Sequence, residues 1–170
     1  MAHIRVPEQV RKLLASHDRV IKIDLGCGKV KEEGFIGIDK IRHENVDIVF
    51  DLESSSWPLP DGCATLVMAR NIVEYIEPRK FIQFMNEIWR ILKIDGQLLI
   101  LTPYSGNTAW HSDPLIVNGC TARTWDFFNP ESPYFERYSP KPWKVENCFF
   151  RPEGNMEVLL IKRAQYDRSK

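Results

Sequence analysis

The chain has 170 residues, enough for one domain with a substantial core. Apolar residues make up 44% and charged residues 27%, as in ordinary globular proteins. Lys plus Arg and Asp plus Glu both number 23, so the formal charge is zero, which excludes a broad electrostatic grip on nucleic acid or an anionic membrane.

In chain order, Pro7 to Ser16 reads as a short helix. Pro7 suits a first helical position, and Val6, Val10, Leu13 and Leu14 give one apolar stripe. Val20, Ile21, Ile23 and Leu25 form a buried strand with Asp24 inside it. Gly26-Cys27-Gly28 follows at once, and a second strand from Phe35 to Ile38 ends on Asp39. Glycines let a backbone approach a ligand closely, and a carboxylate at the end of the second strand can accept hydrogen bonds from both hydroxyls of a ribose. Strand, glycine turn, strand and acid together make a nucleoside-binding pattern. The bland alternative is a strand–turn–strand without a ligand.

Val46 to Phe50 reads as a third strand ending at Asp51, and Ser54 to Gly62 as a turn-rich connection containing Trp57-Pro58-Leu59-Pro60. Ala64 to Ala69 is a fourth strand. Pro78 to Leu92 is the clearest helix, with Phe81, Phe84, Met85, Ile88, Trp89 and Leu92 on one core-facing stripe and Asp95-Gly96 as its stop signal. Gln97 to Thr102 is a fifth strand, whose solid apolar run suits cover on both faces. The stretch at about 103–143 is rich in aromatics and proline, and within it Thr121 to Phe128 is expected to be helical. Val145 to Phe150 and Glu157 to Lys162 read as an antiparallel hairpin, and the polar end from Arg163 to Lys170 as frayed.

The run Asp24-Leu25-Gly26-Cys27-Gly28, with Asp39 after the second strand, resembles the signature of the class I S-adenosylmethionine-dependent methyltransferases, in particular a small, type-11-like member. A nicotinamide or flavin Rossmann motif would need a third glycine opening a helix, but Lys29, Val30 and Lys31 follow here. The stretch from Lys29 to Gly34 is also too short for an ordinary crossover helix. Further on, Arg70 to Tyr75 resembles the family's segment ending in Glu-His, with Tyr75 in place of the histidine and read as a packing residue. Helix, Asp-Gly turn, strand and Thr102-Pro103 again follow the family's pattern.

The resemblance implies a cofactor, S-adenosylmethionine, with S-adenosylhomocysteine as product. It implies that Asp24, Gly26, Cys27 and Gly28 shape the pocket around the methionine part, and that Asp39, with Lys40 beside it, takes the ribose. Asp51 and Leu52 would hold adenine, and Arg70 would contribute main chain near the sulfonium. Because the donor methyl is already electrophilic, transfer can run on positioning and desolvation, with a base needed only if the nucleophile must lose a proton. Tyr104, His111 and Asp113 are the candidates on the acceptor side, with His111 the choice for a base because its ordinary pKa lies near working pH. His111-Ser112-Asp113-Pro114 resembles an element of some small members, but Ile116 stands where those with Asp-Pro-x-His carry histidine.

The expected fold is α/β, a Rossmann-like, doubly wound, mostly parallel sheet with a C-terminal antiparallel hairpin. It would form a single methyltransferase domain over residues 1–170, with a substrate-side insert at about 103–143. Cys27, Cys63, Cys120 and Cys148 lack zinc or redox spacing, so free thiols and no metal are expected. With no leading apolar segment and no run of membrane-spanning length, the expectation is a cytoplasmic protein. The expected acceptor is a small or sugar-like molecule. An RNA or protein acceptor, a non-catalytic cofactor-binding relative, and a homodimer or partner subunit stay open.

Overall fold

The computed structural model describes residues 6–17 and 20–164, so the end of the tail expected to fray, residues 165–170, lies outside the described residues. Lys22–Leu25 forms β1, with Ile23 and Leu25 fully buried and Asp24 buried on the opposite side. On one side β1 pairs in parallel with β2 (Ile36–Asp39), which pairs in parallel with the two-residue β3 (Ile48–Val49). On its other side it pairs in parallel with β4 (Ala64–Arg70), and β4 with β5 (Leu92–Pro103). The hairpin of β6 (Trp143–Phe150) and β7 (Asn155–Lys162) is antiparallel, and β7 joins β5 antiparallel. The sheet order is therefore β3-β2-β1-β4-β5-β7-β6, the expected mostly parallel architecture with one reversed strand next to an edge.

Helix α1 (Glu8–Ser16) follows Pro7 and buries Val10. Helix α2 (Phe81–Ile91) buries Phe81, Phe84, Met85 and Ile88 of the stripe read from the sequence, and Ile91 besides, while Trp89 of that stripe is half-buried. Fully burying each such side chain is worth about 1.5–3 kcal/mol, so α2 is a main anchor of the core. Trp57 meets Phe84 edge-on at 5.6 Å.

The helix gives way to strand sooner than Asp95-Gly96 suggested. Leu92 caps α2 through its N–H to Ile88 O and already pairs with Ala64 in β5. The buried Lys162 ammonium also donates to Leu92 O at 2.7 Å. Asp95, at φ 62°, and Gly96 lie inside β5 at the register shift between its Leu92 and Gln97 pairings with β4.

The stretch after β5 holds a short helix α3 (Thr108–Ser112), unforeseen in the sequence, and 3-10 helices at Ala122–Phe128 and Phe135–Arg137. The expected helical segment is thus present in the tighter form, opened by a capping box between Thr121 and Thr124. Its Trp125 and Phe128 are buried and pack on Phe81, at 6.4 and 5.9 Å between ring centres. Much of the aromatic content of this stretch therefore serves the core. Among the described residues no helix is long and apolar enough to cross a membrane.

Candidate cofactor site

In an open parallel sheet, ligands bind outside the carboxyl ends of the strands where the strand order reverses. Here the reversal falls between β1 and β4. A cavity of about 480 Å³ opens there, with Gly26 after β1 and Asn71 and Ile72 after β4 in its wall. Asp39, Lys40 and Ile41 line it from the end of β2, and Phe50, Asp51, Leu52 and Glu53 from the loop after β3.

The glycine turn is shaped by its contacts. The N–H groups of Gly26 and Cys27 both donate to Ile38 O, at 2.8 and 3.3 Å. Gly26 has φ 63°, and a Cβ there would lie 2.8 Å from Ile72 Cδ1. Only glycine relieves both the backbone and the contact.

The Asp39 carboxylate braces this turn. Its Oδ2 accepts from the Gly28 amide at 2.9 Å and its Oδ1 from the Ile41 amide at 2.8 Å. A carboxylate offers about four acceptor positions, so the side chain retains capacity for a ligand's hydroxyls. Asp51 Oδ1 accepts from the Glu53 amide at 3.0 Å, which folds the loop back and leaves buried Leu52 in the cavity wall.

Other residues expected at the pocket act behind it. Asp24 is buried and accepts from the Glu32 amide and from Arg70 Nη2, both at 3.1 Å. Arg70 Nη1 also pairs with Glu32 at 3.3 Å. These three side chains tie the loop after the glycine turn to β1 and β4. The Cys27 thiol is buried and turned toward Gly37, where a Cβ would meet its Sγ at 2.7 Å. Burial first, and the nearby Asp24 and Asp39 carboxylates next, push that thiol up to about 11. Asp24, Cys27, Gly28 and Arg70 are not among the side chains lining the cavity.

Beside Ile72, the cavity is also lined by Tyr75, Ile76 and Leu115. Tyr75 donates to Asp113 Oδ2 at 2.7 Å, so Asp113 meets the cavity through Tyr75. His111 is exposed on α3 with its ring edge-on to Trp110, and Tyr104 packs edge-on against Phe150 at 5.0 Å. Neither lines the cavity. Sequence reasoning passed over Tyr75 and Leu115 as site residues: Tyr75, in place of the family's histidine, was read as packing, Leu115 lies in no motif, and their meeting depends on the tertiary fold.

Glu74, next to Tyr75, is buried, and its carboxylate accepts from Thr102 Oγ1 at 3.1 Å. Burial pushes its pKa up to about 7 against the lowering effect of its hydrogen bonds.

The family model described as a methyltransferase domain matches residues 8–100, more than half of the chain. The chain belongs to the class I S-adenosylmethionine-dependent methyltransferases. No curated protein matches it by sequence. A SAM-dependent methyltransferase from Archaeoglobus fulgidus is similar in structure, with a TM-score of 0.63 and 18% identity, covering 91% of each chain. A 16S rRNA (adenine(1408)-N(1))-methyltransferase from Catenulisporales acidiphilia with cosubstrate SAM is similar at a TM-score of 0.60 and 16% identity, covering 95% of this chain and 93% of that one. A complex of the Haloferax volcanii Trm112 methyltransferase activator with a methyltransferase contains a chain similar at a TM-score of 0.59 and 12% identity, covering 92% of this chain and 89% of that one. At these identities the likenesses show the fold.

S-adenosylmethionine is the family's cofactor, and the cavity fits it. The cavity lining includes the Asp39 and Asp51 carboxylates, which can accept hydrogen bonds, and apolar side chains, Leu52 among them, that can cover a flat ring. The volume lies in the range of about 300–1,000 Å³ usual for small-molecule sites.

Proposed function

We propose that this methyltransferase acts on a small-molecule acceptor, with Asp39 holding the cofactor ribose and Asp51 and Leu52 holding adenine. The observation that carries this reading is the convergence of Asp39 and Asp51, from the ends of adjacent strands, on one apolar-walled cavity. At Gly26 the missing Cβ makes room for Ile72 beside the cavity, while Asp24, Arg70 and Glu32 keep the neighbouring loop in place. Bound there, the cofactor would supply an electrophilic methyl group on a sulfonium. The protein's task is then to orient the cofactor and acceptor and to exclude water from between them. His111, Asp113 and Tyr104 remain the acceptor-side candidates, of which Asp113 is tied to the cavity wall through Tyr75.

Charge favours the small acceptor. Lys plus Arg and Asp plus Glu both number 23, so the chain has no net positive charge with which to grip a phosphate backbone, and a neutral small molecule needs none. The test is calorimetric titration with S-adenosylmethionine and S-adenosylhomocysteine, followed by methyl-transfer assays on small-molecule and short RNA acceptors. Heat with both ligands and transfer to a small molecule support the reading. Absence of heat with both removes it, and transfer to RNA alone overturns the acceptor class. A partner subunit is a second reading, supported by the Haloferax volcanii likeness. Inactivity despite cofactor binding, with activity restored by a partner protein, would favour it.

A further inference from the structure

Residues 113–118 cross the 3-10 helix Val73–Tyr75 and are fixed to it at four points. Tyr75 donates to Asp113 Oδ2 at 2.7 Å. The amides of Val117 and Asn118 donate to Glu74 O, both at 3.0 Å, and Asn118 Nδ2 donates to Val73 O at 3.3 Å. Asp113 Oδ1 also accepts from the Leu115 amide at 2.9 Å. One carboxylate therefore holds the side chain of Tyr75 and the main chain of Leu115, two residues of the cavity wall. Both are large and well exposed: Leu115 at 71% and Tyr75 at 36%. A leucine held in place, facing a cavity and still open to water has apolar surface for a ligand to cover.

We propose that Tyr75, Asp113 and Leu115 form a latched cover for the bound adenosyl group, with Asp113 as a positioning residue acting through the Tyr75 hydroxyl and the Leu115 amide. This deepens the reading of the cavity as the cofactor site and rests on it. The pair is suited to a latch rather than to proton transfer. Hydrogen bonding to Asp113, burial and the adjacent negative charges push the Tyr75 phenol up to about 12, while donation from Tyr75 and the Leu115 amide lowers Asp113. The phenol thus stays a donor and the carboxylate an acceptor across the neutral pH range.

The test is calorimetric titration of S-adenosylhomocysteine into the wild type, Tyr75→Phe, Asp113→Ala, the double variant and Asp39→Ala. Tyr75→Phe keeps the ring and removes only the latch hydroxyl. Tyr75→Phe is expected to weaken binding about five-fold, the effect of one ordinary hydrogen bond, and Asp113→Ala at least as much, since it also frees the Leu115 amide. The double variant should be no weaker than Asp113→Ala alone, because that variant already removes the acceptor of the Tyr75 hydroxyl. Hydrogen exchange supplies a readout independent of affinity: the ligand should slow exchange at residues 115–118 in the wild type, and less so in Tyr75→Phe. If Asp39→Ala loses binding while both latch variants bind as the wild type does, the latch is wrong and the cavity reading stands. Fully additive losses in the double variant would also overturn it. If Asp39→Ala binds unchanged, the cavity reading fails and the latch with it.

Discussion

The Gly28 amide donates to Asp39 Oδ2 across 2.9 Å, so the glycine turn and the acid at the end of the second strand are one mechanical unit. Asp39→Ala is therefore expected to act twice, freeing the turn and removing the ribose acceptor. Hydrogen bonds to charged groups are worth about 1.5–3 kcal/mol each, so S-adenosylhomocysteine affinity should fall at least ten-fold. Asp39→Asn, which keeps the shape and loses the charge, should fall between wild type and Asp39→Ala in the same calorimetric titration.

Gly26→Ala should damage both fold and site. The added Cβ would sit 2.8 Å from Ile72 Cδ1 on a backbone at φ 63°. A stability loss of about 1–2 kcal/mol is expected from the backbone alone, measured by urea denaturation. Ile72→Ala removes Cδ1 and Cγ1, the atoms at 2.8 and 2.9 Å, and should recover part of the ligand affinity in the double variant but little of the backbone strain.

Glu74 makes stability depend on pH. Its folded pKa of about 7 lies above the ordinary 4.5, so the folded state binds the proton more tightly than the unfolded chain does. The stabilisation is complete below about pH 4.5 and is lost as pH rises through 7. The span corresponds to about 3 kcal/mol as an upper bound. Glu74→Gln should flatten this part of the pH profile and be more stable than wild type at pH 8, as read by denaturant midpoints.

Arg90 fastens the turn-rich loop before β4 to α2. It pairs with Glu87 through Nε and Nη2, at 2.9 and 2.8 Å, and with Asp61 through Nη1 at 2.7 Å. The same guanidinium also donates to the carbonyls of Leu59 and Trp57. A lysine cannot reproduce this fork. Arg90→Lys should lower stability by about 1–3 kcal/mol in urea denaturation while leaving S-adenosylhomocysteine affinity within two-fold, since Arg90 is not among the side chains lining the cavity.

What was legible in the sequence depended on distance along the chain. The turn from Gly26 to Gly28, its two strands and Asp39 lie within one short stretch, and local pattern was enough to place them together. The stripe of α2 and the closing hairpin were legible for the same reason, since burial follows the helical or strand period. Tyr75 was read as packing because its partner Asp113 lies 38 residues away, and no period links them. The burial of Glu74 left no local mark either, because a lone carboxylate reads as surface until Thr102 is brought against it. The aromatic stretch after β5 suggested a substrate-facing surface, yet Trp125 and Phe128 fill the core against α2 and Leu115 carries that stretch into the cavity wall. Composition counts aromatics without saying which way they face.

The most direct test of the central claim is a crystal structure grown with excess S-adenosylhomocysteine. The account predicts the ribose hydroxyls within hydrogen-bonding distance of the Asp39 carboxylate, with the purine between Leu52 and the Ile72 wall. A nucleoside bound elsewhere, or lying in the cavity with its ribose out of reach of Asp39, would contradict it.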